Sequence, residues 1–140
     1  MEKLNSKSLM IGDWVLYGQR FAIIKELYNG YVTILCSING QNEYVEETYD
    51  NIDPITITPE ILEKNGFTAQ RPENHIEIVY CLQDISNAIA DEMYALWPET
   101  YGFYLVIRRE SKDMIRIGIK YVHELQHALK LCGIKKEIEL

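Results

Sequence analysis

The sequence has little of what marks secreted or membrane-spanning proteins. It contains three cysteines in 140 residues, none in a C-x-x-C pair, and each lies in an apolar run. Isolated thiols in odd number argue against a disulfide framework and favour buried, reduced cysteines. The first residues include no apolar secretion segment, and no run is long enough to cross a bilayer. We therefore expect a soluble cytoplasmic protein with no membrane partner.

Basic residues are also scarce. Lysine and arginine number 14 against 21 acidic residues, which gives a formal net charge of −7. Nucleic-acid binding needs clustered cations that neutralise phosphates, so this balance argues against a nucleic-acid partner and favours a protein or peptide. The scattered glycines form no G-x-x-x-x-G-K phosphate loop, and no serine–histidine–acid set stands out.

The first half of the chain predicts short strands joined by tight turns. Turn signals at Gly18-Gln19, Asn29-Gly30 and Asn39-Gly40 separate stretches rich in β-branched and aromatic residues. Asn-Gly favours a type I′ hairpin, because both central residues of that turn need positive φ. A fifth strand is expected over residues 52–57, with Pro54 marking an edge or a strand start. Five such strands predict a small SH3-like β-barrel or a strongly twisted meander.

Aromatic side chains in these strands form a candidate binding strip. Small barrels commonly bind ligands on surface aromatics, although fold alone does not decide function. Tyrosine suits such a surface because it combines apolar area with a polar tip. The simpler interpretation, in which most of these rings belong to the core, stays open. The residues of the candidate strip are Trp14, Tyr17, Tyr31 and Tyr44.

A short helix is predicted after these strands. Thr58-Pro59-Glu60 supplies a capping hydroxyl, a first-turn proline and an acid at the positive end of the helix. Asn65-Gly66 is expected to end it. Residues 68–74 are polar and predict a connector. The chain would then consist of a barrel-like half, residues 1–67, and an α+β half, residues 68–140, unless the two are fused into one domain.

The second half predicts a sheet and two helices. Residues 76–82, 103–109 and 114–119 are rich in β-branched and aromatic residues and predict an antiparallel sheet. Apolar residues at helical spacing favour a helix over 84–97, ended by Pro98, with a strand as the alternative. Residues 137–140 alternate and could add a short edge strand. The predicted fold class is α+β, with the second sheet packed against a C-terminal amphipathic helix over residues 120–132.

That last helix holds the most chemically suggestive string, His123-Glu124-Leu125-Gln126-His127, which fits H-E-x-x-H. Histidines four residues apart share a helix face and can bind zinc, with the glutamate as general base. Such a site needs a third ligand; His75, Glu110 or Asp113 could reach back from upstream, but no spacing in the sequence singles one out. The string therefore carries an alternative hypothesis, a zinc-dependent hydrolase with His123 and His127 as ligands and Glu124 as catalytic base.

A helical wheel gives a second interpretation of the same string. With Leu125 at the centre of one face, both histidines fall roughly 160° away. Gly133 is well placed to end the helix in a left-handed conformation. Replacing either histidine would then change stability by no more than about 0.5 kcal/mol. The wheel predicts leucines facing the core and a solvent-exposed binding surface formed by His123, Gln126 and His127.

Three stretches together resemble a known group of sequences. They are Ile11-Gly12-Asp13-Trp14-Val15, residues 52–67, and Tyr121-Val122-His123-Glu124-Leu125-Gln126-His127 through Cys132-Gly133-Ile134. They are similar to a family of short uncharacterised proteins from gut bacterial and phage or prophage genomes. The resemblance implies a mobile-element setting and no known activity, cofactor or catalytic residue. Small proteins of that setting often bind a host or phage protein. We therefore expect a non-enzymatic cytoplasmic interaction module that uses no cofactor.

Overall fold

The computed structural model describes residues 3–71, 76–82, 92–109 and 112–140. These residues form two five-stranded antiparallel sheets and two α-helices, which confirms the predicted α+β class. The chain divides into two compact units, Met1–Thr56 with Tyr121–His127, and Ile57–Lys120 with Ala128–Leu140. The division falls after Thr56 rather than after residue 67, and the start of the last helix belongs with the first unit.

The first unit is a meander of five strands in the order β4-β3-β2-β1-β5. The turn signal at Gly18 joins β1 to β2, as predicted. Asn39 and Gly40 have φ angles of 53° and 80°, so β3 and β4 are joined by the primed turn that Asn-Gly favours. The strands are β1 (Trp14–Tyr17), β2 (Arg20–Leu27), β3 (Tyr31–Ile38), β4 (Gln41–Thr48) and β5 (Ile52–Asp53).

Asn29-Gly30 also lies in a hairpin, between β2 and β3, but the predicted turn type is wrong. Neither residue has positive φ. The Tyr28 N–H donates to the Tyr31 carbonyl at 3.0 Å, and residues 28–30 form the connection. A loop of three residues does not require the paired positive φ values of a type I′ turn.

The first sheet curls around its own core. Alternate side chains of its strands are buried, as expected for a sheet with one dry face. Tyr17 on β1 donates its hydroxyl to Glu47 on β4 at 2.7 Å, although two strands lie between β1 and β4 in the sheet order. The sheet is therefore a half-barrel. Its core residues are Leu4, Leu9, Val15, Ala22, Ile24, Val32, Ile34, Cys36 and Ile52.

The fifth strand is shorter than the predicted 52–57. A 3-10 turn, Tyr49–Asn51, leads into β5, and Pro54 follows it. Proline has no N–H to contribute to a longer ladder, so the strand stops. Ile55 meets the start of the last helix instead, where its carbonyl accepts the Val122 N–H at 2.8 Å.

The second unit contains a sheet in the order β10-β9-β8-β7-β6. Its β9 and β10 pair with each other and confirm the two strands predicted over 103–109 and 114–119. The predicted connector is wrong for residues 68–70, which belong to a strand that pairs with β7. The strands are β6 (Phe67–Gln70), β7 (Val79–Leu82), β8 (Glu92–Glu99), β9 (Gly102–Arg109) and β10 (Lys112–Ile119).

The helix predicted over 84–97 is wrong wherever the structure describes it. Strand β8 pairs with β9 along its whole length, from Glu92 opposite Arg109 to Glu99 opposite Gly102. Ala95 and Leu96 are adjacent and both fully buried, so this strand is apolar on both faces. Such a strand lacks the alternation that distinguishes it from a helix. Residues 83–91 lie outside the described part of the chain.

Helix α1 (Pro59–Lys64) begins and ends where the sequence predicts. The Thr58 hydroxyl accepts the Ile61 N–H at 3.3 Å, which caps the first turn. Gly66, just beyond its end, has a φ of 86°. The local sequence therefore determines both ends of this helix.

Asn65 has a role that local patterns do not show. Its buried side chain donates to the Glu139 carbonyl and accepts the Glu139 N–H, each at 2.7 Å. The side-chain amide of Asn65 thus makes the two hydrogen bonds to Glu139 that a partner strand would otherwise make. Residues 137–140 are not the predicted edge strand.

Helix α2 (Val122–Leu131) confirms the predicted helix and its end. Gly133 has a φ of 75°, and the Ile134 N–H donates to the Leu129 carbonyl at 2.9 Å. This pattern satisfies carbonyls of the last helical turn. No helix in the described residues has the length and apolar character needed to span a membrane. The apolar stripe is fully buried, as predicted, at Val122, Leu125 and Leu129.

Candidate functional site

Glu124 of the H-E-x-x-H string caps its own helix. Its Oε1 accepts the Tyr121 N–H at 2.9 Å, and Tyr121 is the residue just before α2. This is the glutamate half of a capping box, in which the third helical residue reaches back to the N-cap amide. The carboxylate also lies at the positive end of the helix dipole. This geometry gives Glu124 a structural role, whereas the alternative hydrolase hypothesis would need it as the catalytic base.

Gln126 holds the chain just before and at the start of β1. Its Nε2 donates to the Gly12 carbonyl at 3.0 Å, and its Oε1 accepts the Trp14 N–H at 2.9 Å. One side-chain amide therefore pairs with two backbone groups two residues apart, as a neighbouring strand would. Sequence reasoning placed Gln126 on a binding surface and missed this contact, because nothing local relates positions more than 100 residues apart.

Asp13 lies between those two backbone groups and is fully buried. Its Oδ2 accepts the Met10 N–H at 2.7 Å and lies 2.7 Å from His127 Nε2. Its other oxygen, Oδ1, is also buried and has no hydrogen-bond partner among the described residues. An ionised carboxylate can only accept, so Nε2 of His127 is then the donor. His127 thus gives a buried acidic group a partner that it needs.

His123 contradicts the wheel prediction directly. Only 5% of its surface is exposed, and its ring stacks on Tyr121 with centroids 5.8 Å apart and planes 9° apart. His127 meets it edge-on, at 5.7 Å and 72°, and is 28% exposed. The solvent-facing assignment is therefore wrong for His123 and holds only in part for His127. A helical wheel assigns residues to solvent by their polarity alone. In this structure the polar side of α2 instead covers Gly12, Asp13 and Trp14.

The donor set does not fit the zinc hypothesis. Two ligands of one tetrahedral zinc, each about 2.0–2.1 Å from the metal, lie about 3.3 Å apart. Asp13 Oδ2 and His127 Nε2 are 2.7 Å apart, which is a hydrogen-bond distance. Among the described residues, no group of three or more histidine, cysteine, aspartate or glutamate side chains is arranged to hold a metal ion. His75, which could have reached back as a third ligand, lies outside those residues.

The cysteines are poorly suited to catalysis. Cys36 and Cys81 are buried, as predicted, whereas Cys132 is half-buried, and all three are free thiols. Burial raises the pKa of each thiol above its usual value. Since the thiolate is the nucleophile, these groups stay in their unreactive form near neutral pH.

An apolar row crosses the outer face of the first sheet. The strand registers place Trp14 opposite Ile23, Ile23 opposite Leu35, and Leu35 opposite Tyr44, on four successive strands. The neighbours of these residues, such as Ile24 and Ile34, point to the core, so the row faces outward. The first three are half-buried, and Tyr44 is 70% exposed. We call Trp14, Ile23, Leu35 and Tyr44 the outer row.

The other two residues of the predicted strip lie elsewhere. Tyr31 shares the outer face with Tyr44 and stacks on Tyr28, with ring centroids 4.4 Å apart and planes 14° apart. Tyr28 donates its hydroxyl to Glu26, and this hydrogen bond is the main cause that raises the Tyr28 pKa to about 12. Tyr17 lies on the opposite face of the sheet, on the contact to β4.

Glu47 is the acceptor that fixes Tyr17. Its second oxygen, Oε2, accepts a hydrogen bond from Asn51 at 2.7 Å. The bonds from Asn51 and Tyr17 hold the pKa of Glu47 below its usual value, so this carboxyl is ionised at neutral pH. The structure therefore assigns Tyr17 to closure of the half-barrel rather than to an open aromatic strip.

Strand β4 forms one edge of the first sheet. None of its eight residues is buried, and three of them are glutamates: Glu43, Glu46 and Glu47. The outer row ends on this edge at Tyr44. The edge and the row together form the candidate site that the first unit offers to solvent. The chain matches no protein-family profile, no curated protein and no solved structure.

Proposed function

We propose that this protein is a non-enzymatic interaction module that binds a protein or peptide on the outer face of its first sheet. The observation that carries the proposal is the outer row, an apolar line across four strands that ends at an exposed tyrosine on an edge strand. Apolar side chains that lie side by side at the surface, with polar residues around them, are typical of protein-interaction sites.

The chemistry of the row suits this role. Tyr44 offers a large amphipathic ring on a strand whose backbone is fixed by pairing with β3. Tyrosine and tryptophan are enriched among the residues that contribute most to protein interfaces. Ile23 and Leu35 supply an apolar floor beside the ring. A partner that covers the row would remove this area from water at little entropic cost to the binding strands.

The contacts of α2 support a non-enzymatic role. Glu124, Gln126 and His127 each pair with a group inside the first unit. These side chains stabilise the chain that leads into β1 and the start of α2. Structural contacts therefore account for these residues of the H-E-x-x-H string, and no catalysed reaction is needed to explain them. Buried free thiols fit a reducing cytoplasmic setting. A phage or prophage context follows from the sequence resemblance and belongs to the same proposal.

The test is selection of ligands from a displayed library of random twelve-residue peptides on the immobilised full chain. Selected peptides are then titrated in solution by fluorescence anisotropy against wild type and Tyr44→Ala. Loss of a central aromatic anchor costs about 1.4 kcal/mol or more, so Tyr44→Ala should raise Kd at least tenfold.

Tyr101→Ala is the matched control. Tyr101 is a tyrosine of similar exposure, 79%, that belongs to the second unit and not to the outer row. Its removal should leave Kd within about twofold of wild type, since surface substitutions outside an interface change little. Failure to enrich any peptide, or binding that responds equally to the two substitutions, would contradict the proposed function.

A further inference from the structure

We propose that the occupant of this surface is an extended basic segment of a partner protein, which pairs with β4 as an additional strand of the half-barrel. The inference rests on the proposed function and names the partner class for the same surface. It follows from the open edge of β4 together with the charge on both faces of that edge.

The edge is available for pairing. β4 is the last strand of the sheet order, and among the described residues only β3 pairs with it. It runs for eight residues, Gln41–Thr48, with no proline, lysine or arginine. Natural edge strands are commonly protected by such residues or by a covering segment. An edge of this length that no proline or cation interrupts offers a row of backbone donors and acceptors to an extended peptide.

The negative charge of β4 indicates which kind of segment would pair with it. Glu46 lies on the outer face of β4 with Tyr44, whereas Glu43 and Glu47 lie on the opposite face, by the alternation of the strand. An incoming strand therefore meets a carboxylate whichever way a side chain points. Cationic side chains directly across a strand pair are favourable, and like charges are unfavourable.

A recess at the end of β4 fits one such cation. It has a volume of roughly 280 Å³ and is lined by Tyr31, Glu46, Glu47 and Thr48. Tyr28 stacks behind Tyr31 and supports that ring. An ammonium or guanidinium group in the recess would lie beside the acidic Glu46 and the Tyr31 ring, and a cation over an aromatic ring is favoured by a cation–π contact.

The same charges argue against a second copy of this chain on the edge. Antiparallel pairing of β4 with β4 would bring two sets of Glu43, Glu46 and Glu47 along one junction, with no cation in either strand. Such repulsion is a common device against edge-to-edge association. A basic partner converts the repulsion into attraction.

The test uses a fluorescent ten-residue peptide of alternating lysine and valine, titrated against the full chain. A peptide with glutamate in place of lysine should not bind. A further peptide carries N-methyl groups on every backbone amide, which removes all of its backbone donors. It should lose at least tenfold in affinity, because a strand pairs through its backbone.

Chain variants test the charge argument. The double variant Glu43→Gln, Glu46→Gln would remove two exposed ion pairs with the lysine–valine peptide. It should raise the Kd of that peptide about fivefold at low salt. Glu137→Gln, an exposed acid of the second unit, is the control and should leave Kd unchanged. Backbone amide exchange should slow within Gln41–Thr48 when the lysine–valine peptide binds.

Three results would overturn the inference: undiminished binding of the fully N-methylated peptide, binding insensitive to the paired glutamine variant, or dimerisation through β4 in sedimentation. If library-selected peptides depend on Tyr44 but are neutral or acidic, the basic occupant is wrong while the proposed function stands. If no displayed peptide responds to Tyr44→Ala, the proposed function fails as well.

Discussion

The side chain of Gln126 joins two parts of the chain that are far apart in sequence. Its amide satisfies a carbonyl and an N–H that belong to another part of the chain, Gly12 and Trp14. Both groups lie in a partly buried region, where an unmade hydrogen bond is costly. The residue is therefore a direct probe of whether the polar side of α2 holds the fold together.

Replacing Gln126 with alanine should lower the free energy of unfolding by about 2 kcal/mol, since two backbone groups lose their partners. Urea denaturation followed by far-ultraviolet circular dichroism measures the change. Lys130→Ala, an exposed position on the same helix, should shift it by less than about 0.5 kcal/mol. Equal effects from the two substitutions would count against the assigned contacts.

Tyr28 provides a test of local electrostatics. Its hydrogen bond to Glu26 raises its pKa to about 12, so the phenol should stay protonated well above the usual range. The contact therefore favours the folded state below about pH 10, and that contribution is lost as pH rises toward 12. The pH titration midpoint of the Tyr28 ring NMR signals should be lower in Glu26→Gln than in wild type. A midpoint that does not move would contradict the assigned hydrogen bond, and Glu43→Gln serves as the unchanged control.

Residue types predicted which apolar side chains and thiols are buried better than they predicted what the polar side chains contact. The apolar stripe of α2 and the thiols Cys36 and Cys81 are buried as expected. His123 was expected in solvent because polarity alone cannot show that a second segment covers the polar side of a helix. The contacts of Gln126 and Asn65 join residues far apart in sequence, and no local pattern carries that information.

At the level of elements, β8 and β9 are joined by a turn that only glycine fits well. Gly102 has a φ of 123°, and a Cβ added there would lie 2.7 Å from the Ile119 carbonyl oxygen and 3.2 Å from Lys120 Cα. Both obstacles are backbone atoms, so neither can rotate away. The turn is fixed by sterics as well as by hydrogen bonding.

Gly102→Ala should therefore lower the free energy of unfolding by about 2 kcal/mol or more, the scale of strain at a backbone conformation that only glycine adopts readily. Gly118→Ala is the matched control, because its added Cβ would meet nothing nearer than 4.0 Å and its φ is unexceptional. Thermal melts of the two variants should separate clearly. A Gly102→Ala protein as stable as Gly118→Ala would refute the close approach.

Elements with strong local signals were predictable, and those set by tertiary pairing were not. Thr58 and Gly66 define α1, and Asn39-Gly40 defines the β3–β4 turn, because each acts within a few residues. β8 was mistaken for a helix because its adjacent buried residues hide the alternation of a strand. Strand β6 was mistaken for a connector because Thr68-Ala69-Gln70 is exposed and gains its order from β7.

For the whole molecule, the main choice lies between a metal-dependent enzyme and a binding module. His127, one of the two histidines that a zinc ion would need, is instead hydrogen-bonded to the buried Asp13. Protein purified without an affinity tag should hold no stoichiometric zinc. A chelator should leave its urea midpoint unchanged, whereas removal of a structural metal is strongly destabilising. Stoichiometric zinc that is lost in His123→Ala would restore the hydrolase hypothesis.

The account depends on the polar side of α2 acting within the fold rather than as a binding surface. A double-mutant cycle of Asp13→Ala and His127→Ala, with unfolding measured in urea, tests this directly. We expect a coupling energy of about 2 kcal/mol, because the fully buried Asp13 carboxyl group depends on His127 for a hydrogen-bond partner. Effects that simply add, with a coupling below about 0.5 kcal/mol, would show that the two side chains do not interact.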